Sequence, residues 1–216
     1  MSIQRRILVV EDEPLLRNLL VSMLQASQFV AHSAANAAEA IKLAKKIDPD
    51  LALVDIDLGD GPNGINFSKI LTDTNPGVAV VFLTHISDPR LLGISDNEMP
   101  KNYAYLLKSK IEDPGVLVSV IESALRDEVT REQQDNRQPN HPFTKLSKSQ
   151  LDVLRLLAAG LSATQIAERR GTSARAVRNI ITRACLAAGI EHDSEANARL
   201  LAVREYIRFA GIPSDG

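Results

Sequence analysis

Over the first 126 residues, short apolar runs alternate with amphipathic stretches. The runs are Ile7–Val10, Phe29–Ser33, Leu51–Ile56, Val78–Leu83 and Tyr103–Leu107. They have strand length and are separated by segments with helical spacing near 14–26, 37–47, 65–73 and 114–126. Turn or cap signals punctuate them at Asn36, Asp48-Pro49, Asn75-Pro76-Gly77 and Asp113-Pro114. This alternation predicts an α/β unit: a five-stranded, doubly wound parallel sheet covered by about five helices. Residues 88–102 fit the pattern least, because Gly93, Asn97 and Pro100 interrupt any long helix there.

After residue 126 the pattern changes. DEVTREQQDNRQPNHPFTK, residues 127–145, has few apolar positions and two prolines and reads as a linker. Beyond it strand-like runs vanish and four helices are predicted. Ser147 with Gln150 and Ser162 with Gln165 form capping-box patterns, and Ser173 and Ser194 are N-cap candidates for the last two. The expected organisation is therefore 1–126, an α/β domain; 127–143, a linker; and 144–216, an all-α domain. With 216 residues, two modest domains are the better prior.

The net charge of −2 conceals an asymmetry. Residues 1–140 carry 14 Lys+Arg against 20 Asp+Glu, whereas 141–216 carry 11 against 7. An acidic module joined to a basic one suggests that the second meets a polyanion. No apolar run approaches the ~18 residues of a membrane span, so no membrane partner is expected and a cytoplasmic location is read. The lone Cys185 excludes an intramolecular disulfide and reads as a small core residue.

In open α/β sheets, chemistry gathers beyond the carboxyl ends of the strands. Glu11 and Asp12 follow the first run, and Asp55 ends the third within LALVDIDL. Clustered carboxylates favour a hard divalent cation such as Mg2+, which would neutralise a phosphoryl group passing onto one of them. Thr84 after the fourth run offers a hydroxyl, and Lys108 after the fifth offers a point cation for a phosphate oxygen. Each alone has a bland reading; together, at successive strand ends, they point to aspartyl phosphate chemistry on one of the carboxylates.

At these residues the chain resembles the flavodoxin-like receiver domain of two-component response regulators, through ILVVEDEP, DPDLALVDIDLGDGPNGINF, VAVVFLTH and YAYLLKSK, over roughly residues 5–126. The resemblance implies that Asp55 is phosphorylated by a histidine kinase. It implies that Glu11, Asp12 and Asp55 ligate Mg2+ with the backbone carbonyl of Asp57, and that Lys108 pairs with the phosphoryl group. Thr84 and Tyr105 would be a switch pair. The chain departs from the family in a loop one residue longer after Asp55, in Ser109 after Lys108, and in His85 beside the threonine. His85 and the Asp57 carboxylate are expected to alter water access and so the phosphoryl lifetime.

The second domain has its own signature. Between Ser162 and Gly189 two helices flank a tight turn at Gly171. In the second helix Val177, Ile180, Ile181, Ala184, Cys185 and Ala188 form an apolar stripe, while Arg175, Arg178, Asn179, Thr182 and Arg183 form the opposite face. Over 164–183 five arginines face one glutamate, so this is a candidate for phosphate and base-edge contacts in a major groove. The segment is similar to the LuxR-type helix-turn-helix of the NarL/FixJ regulators, matching through LSKSQLDVLRLLAAGLSATQIAERRGTSARAVRNIITRACLAAGI over about 144–208. By that resemblance Arg178, Asn179 and Thr182 face bases, and Arg175 and Arg183 face phosphates. The family pattern is broken at Gln150, Ile180, Ala187 and Ala188.

The sequence therefore predicts a DNA-binding transcriptional response regulator, with a cognate sensor histidine kinase, promoter DNA and a second copy of itself as partners. It is not expected to be an enzyme beyond slow loss of its own phosphoryl group. Two alternatives stand: a receiver-type DNA-binding regulator independent of phosphorylation, and a haloacid-dehalogenase-like phosphatase using Asp55 and Asp57. Against the latter, Leu58-Gly59 follow the aspartates, and they end the third strand rather than the first.

Overall fold

The computed structural model describes residues 4–59, 62–85, 91, 99–100, 103–130, 133, 142–190 and 195–210. Five parallel strands, β1 (Arg6–Val10), β2 (Val30–Ala34), β3 (Leu51–Asp55), β4 (Ala79–Thr84) and β5 (Tyr103–Leu107), form one sheet in the order β2-β1-β3-β4-β5. β1, β3, β4 and β5 are buried almost throughout, as parallel strands covered on both faces must be.

Helices α1 (Pro14–Ala26), α2 (Ala37–Ile47), α3 (Gly64–Thr74) and α4 (Pro114–Leu125) complete this layer. Alternate strand residues Ile7, Val9, Leu51, Leu53, Val81 and Leu83 pack with Leu20 and Leu24 of α1 and Leu117 and Ile121 of α4. Helices α2 and α3 attach to the other side through β1, β2 and β3. The caps act as expected: the Asn36 side chain accepts from Glu39 N–H, and that of Asp113 from Gly115 N–H. A fifth helix over 88–102 falls largely outside the described residues.

Several strand boundaries differ by a residue from the sequence reading. β2 begins at Val30, not Phe29, because Phe29 N–H donates to Leu24 O and Gln28 has φ of 68°, so both residues close α1. The same principle moves the start of β4 from Val78, whose N–H returns to Asn75 O.

Contacts divide the chain into two compact units, Met1–His85 with Asp96–Asn136, and Ile86–Ser95 with Arg137–Gly216. The second contains α5 (Lys148–Ala158), α6 (Ala163–Arg169), α7 (Ala174–Ala187) and α8 (Glu195–Ala210). Ser147/Gln150 and Ser162/Gln165 make full capping boxes, and the Ser173 hydroxyl accepts from Ala176 N–H. The proposed cap Ser194 lies outside the described residues. Gly171 has φ of +61°, the left-handed conformation that ends α6. The core joins Leu151, Leu154, Leu157, Ile166, Val177, Ile181 and Tyr206. Phe143, read as the end of a polar linker, is fully buried in it; its ring lies edge-on to Phe209, 5.8 Å between centroids.

Candidate functional site

The sheet register assembles the site. Val10 pairs with Val54, Asp55 with Leu83, and Thr84 with Leu107, so Glu11, Asp55, Thr84 and Lys108 meet at one carboxyl edge. This is also where strand order reverses between β1 and β3, the usual position of a ligand crevice. Among the described residues, the buried polar side chains are Glu11, Asp55, Ser68 and Thr84. Ser68 is accounted for by its helix, since its hydroxyl donates to Gly64 O at 2.7 Å. The other three are at the site.

Carboxylate oxygens of Glu11, Asp12 and Asp55 lie within 4.8 Å of one another. Lys108 Nζ donates to Asp55 Oδ2 at 2.8 Å and to Glu11 Oε1 at 3.0 Å. It is also 2.8 Å from Glu11 Oε2, but as an ion-pair contact only, and that buried oxygen has no hydrogen-bond donor. Burial raises the pKa of Glu11 and of Asp55, against the opposing pull of Lys108. Burial acts to lower that of Lys108, but its two carboxylate partners outweigh this and raise it. The site is thus a desolvated cluster with more negative than positive groups.

That donor set fits a hard cation. It offers oxygen ligands alone, one of them a buried atom with an unused lone pair, and Asp12 remains exposed at the mouth. Asp57 N–H donates to Asp55 Oδ1 at 3.3 Å, which fixes the Asp57 backbone beside the acceptor while its side chain is exposed. A phosphatase reading needs that second carboxyl held over the first, and a solvent-facing Asp57 does not meet the requirement. His85 is exposed as well.

Thr84 is buried at the end of β4. Tyr105 is buried on β5, its ring 5.6 Å from Phe82 and 5.2 Å from Tyr103, with its hydroxyl 3.5 Å from Met99 Sδ.

In the helical unit, Val177, Ile181, Ala184 and Cys185 of α7 are buried, with Ile180 and Ala188 packed against them. Arg175, Arg178, Asn179 and Arg183 are exposed on the other face. Thr182 is half-buried and its hydroxyl donates to Arg178 O at 3.1 Å. Arg170, counted among the five arginines, pairs with Asp152 and donates to Ser149 Oγ. It serves to tie α6 to α5.

Residues 7–97 match the response regulator receiver domain family. The chain is 29% identical over 201 residues to the transcriptional regulatory protein LnrK of Bacillus subtilis, covering 82% of this chain and 90% of that one. It is 26% identical to the DNA-binding transcriptional activator DevR/DosR of Mycobacterium tuberculosis, over 88% and 91% of the two chains. Its fold is similar to that of the two-component response regulator RcsB solved in a DNA complex, with a TM-score of 0.59, 20% identity, and coverage of 96% of this chain and 100% of that one. Residues 7–97 are a response regulator receiver domain.

Two residues of this receiver domain's site carried no signal of their own in the sequence. Arg17 in α1 donates to Glu11 O at 2.7 Å and Asp12 O at 3.1 Å, clamping the acidic loop; its only clue is its place one turn into the helix that follows the carboxylates. Gly64 starts α3, and a Cβ there would stand 1.9 Å from Asp55 O. Among the described residues no helix is long and apolar enough to cross a membrane.

Proposed function

We propose that this response regulator is a cytoplasmic phosphorelay output protein. Asp55 accepts a phosphoryl group from a histidine kinase, and this controls promoter DNA binding by the helix-turn-helix domain of residues 144–216. The observation that carries the reading is Asp55 itself: buried at the end of β3, hydrogen-bonded to Lys108, and within reach of Glu11 and Asp12. In the transfer, an Asp55 carboxylate oxygen forms the new P–O bond. The P–N bond of the donor phosphohistidine breaks, and its electron pair returns to the imidazole.

Lys108 is placed to follow the charge from the carboxylate to the phosphoryl oxygens, because its present acceptor, Asp55 Oδ2, belongs to the carboxylate that is phosphorylated. Thr84 supplies a hydroxyl from the neighbouring strand, with Tyr105 behind it as the aromatic half of the switch. Glu11, Asp12, Asp55 and the Asp57 carbonyl are the residues to hold Mg2+, which when bound neutralises phosphoryl charge.

Support for the output comes from the face of α7 and from relatives named as transcriptional regulators. Arg178 and Asn179 read base edges, the Thr182 methyl contacts a thymine, and Arg175 and Arg183 hold phosphates; a second copy binds the adjacent half-site. Arg178→Ala is expected to weaken binding to a duplex selected from a random library by about 1–3 kcal/mol. Unchanged affinity in a fluorescence titration would remove Arg178 from the interface.

The deciding experiment is incubation with acetyl phosphate and Mg2+ followed by intact mass. One phosphoryl adduct is expected on the natural chain and none on Asp55→Asn. An unmodified natural chain would instead favour a regulator that works without phosphorylation.

A further inference from the structure

Of the three clustered carboxylates, Lys108 holds two and leaves the third alone. Glu11 and Asp55 each accept a hydrogen bond from its ammonium group. The Asp12 carboxylate is exposed and accepts no hydrogen bond among the described residues, although it belongs to the same cluster. Whatever aims it must act through its backbone.

Arg17 supplies that hold. Its Nη1 donates to Glu11 O at 2.7 Å and to Asp12 O at 3.1 Å, six and five residues back along the chain. These carbonyls belong to the peptide planes on either side of the Asp12 Cα. A peptide plane is rigid, so fixing both planes fixes the direction in which the Asp12 side chain leaves the backbone. The anchor is firm at its other end, because Arg17 N–H donates to Glu13 O at 3.0 Å in the first turn of α1. No cap does the same work: Glu13, at the N-cap, makes no side-chain hydrogen bond to the helix, and Pro14 follows it.

The same side chain brings a positive charge toward a set of cation ligands. Arg17 has no carboxylate partner among the described residues, so its charge opposes Mg2+ whatever its hydrogen bonds do. The two effects have opposite signs. Hydrogen bonds from a charged donor are among the stronger ones, whereas repulsion at an exposed mouth is screened by water and salt.

We infer that Arg17 is a positioning residue for Mg2+: by holding the Glu11 and Asp12 carbonyls it keeps the Asp12 carboxylate on the cluster, and this outweighs the repulsion from its own charge. The inference rests on the reading of Glu11, Asp12 and Asp55 as the residues that hold the cation.

The test titrates the full chain with Mg2+ alone and follows backbone amide chemical shifts, a readout that needs no phosphoryl donor. Arg17→Met keeps a long stem but loses the donors and the charge. It is expected to raise the Mg2+ dissociation constant about tenfold, equivalent to 1.4 kcal/mol, and Arg17→Lys is expected to recover part of the loss. Phosphoryl uptake from acetyl phosphate by Arg17→Met is expected to be slow at low Mg2+ and to reach the natural rate when Mg2+ is saturating. A dissociation constant in Arg17→Met that is unchanged overturns the inference, and so does a lower one, which would mean that the charge dominates. Arg17→Lys as weak as Arg17→Met overturns it, as does uptake that stays slow at saturating Mg2+, because Arg17 would then act on the transfer itself. A natural chain that binds no Mg2+ overturns the reading of the three carboxylates and this inference with it. Should Arg17→Met fail to fold, Arg17→Ala, a strong helix former at a half-buried position, gives the same decision.

Discussion

Lys108→Ala is expected to destabilise the N-terminal unit by about 3–5 kcal/mol at neutral pH, the cost of leaving a buried ion-pair partner uncompensated. The Lys108 side chain is 6% exposed and bridges Glu11 and Asp55, whose side chains are 0% and 7% exposed. Truncation removes the cation and leaves both carboxylates facing each other out of water. Burial already raises both pKa values, so the folded state binds protons more tightly than the unfolded one. Stability from these groups is complete below their unfolded pKa values and falls as pH rises through the folded ones. Without Lys108 the folded values move higher still. The deficit of the variant should therefore be largest at neutral and higher pH and shrink as the solution is acidified. Urea denaturation at a series of pH values measures this, and added Mg2+ should recover part of the loss by binding only the folded form. A deficit that is independent of pH would mean that Lys108 matters through packing rather than charge.

How much of this was legible in the sequence depends on the range of the interaction involved. Asp55, Glu11, Thr84 and Lys108 could be placed together because parallel strands in register deliver their ends to one edge, and each strand was visible as an apolar run. The α7 stripe was equally plain, since helical spacing is local. Features set by the tertiary partner were hidden. Phe143 is one aromatic in a polar stretch, and Leu91 is an ordinary apolar residue in an irregular one; nothing nearby tells that both belong to the helical core. Arg170 looked like part of a basic surface until Asp152, 18 residues away in sequence, was seen to hold it. Phe29 read as strand because its type suits one, but its N–H was already committed to closing α1.

Gly64→Ala should be the most damaging single-methyl change in the N-terminal unit, about 3 kcal/mol or more, at the upper end of overpacking costs. An added Cβ would meet Asp55 O at 1.9 Å, Val54 Cγ1 at 2.8 Å and Asp55 C at 2.9 Å. Two of these atoms are backbone, in a strand hydrogen-bonded on both sides, so no side-chain rotation relieves the contact. Gly64 N–H also donates to Ile56 O at 3.0 Å, which holds the start of α3 against the end of β3. Two other glycines calibrate the effect. Gly59 has φ of +68° with its nearest neighbour at 3.5 Å, so alanine there costs only the left-handed conformation, about 1–2 kcal/mol. Gly77 has nothing within 4 Å, and alanine there should be nearly neutral. The order of denaturation midpoints should therefore be Gly77→Ala, Gly59→Ala, Gly64→Ala, from mildest to worst. Because the clash falls on the backbone of the acceptor itself, Gly64→Ala should also lose phosphoryl uptake at temperatures where it is still folded. A variant as stable as Gly77→Ala, with an unaltered adduct by mass, would show that α3 can retreat from β3 without disturbing Asp55.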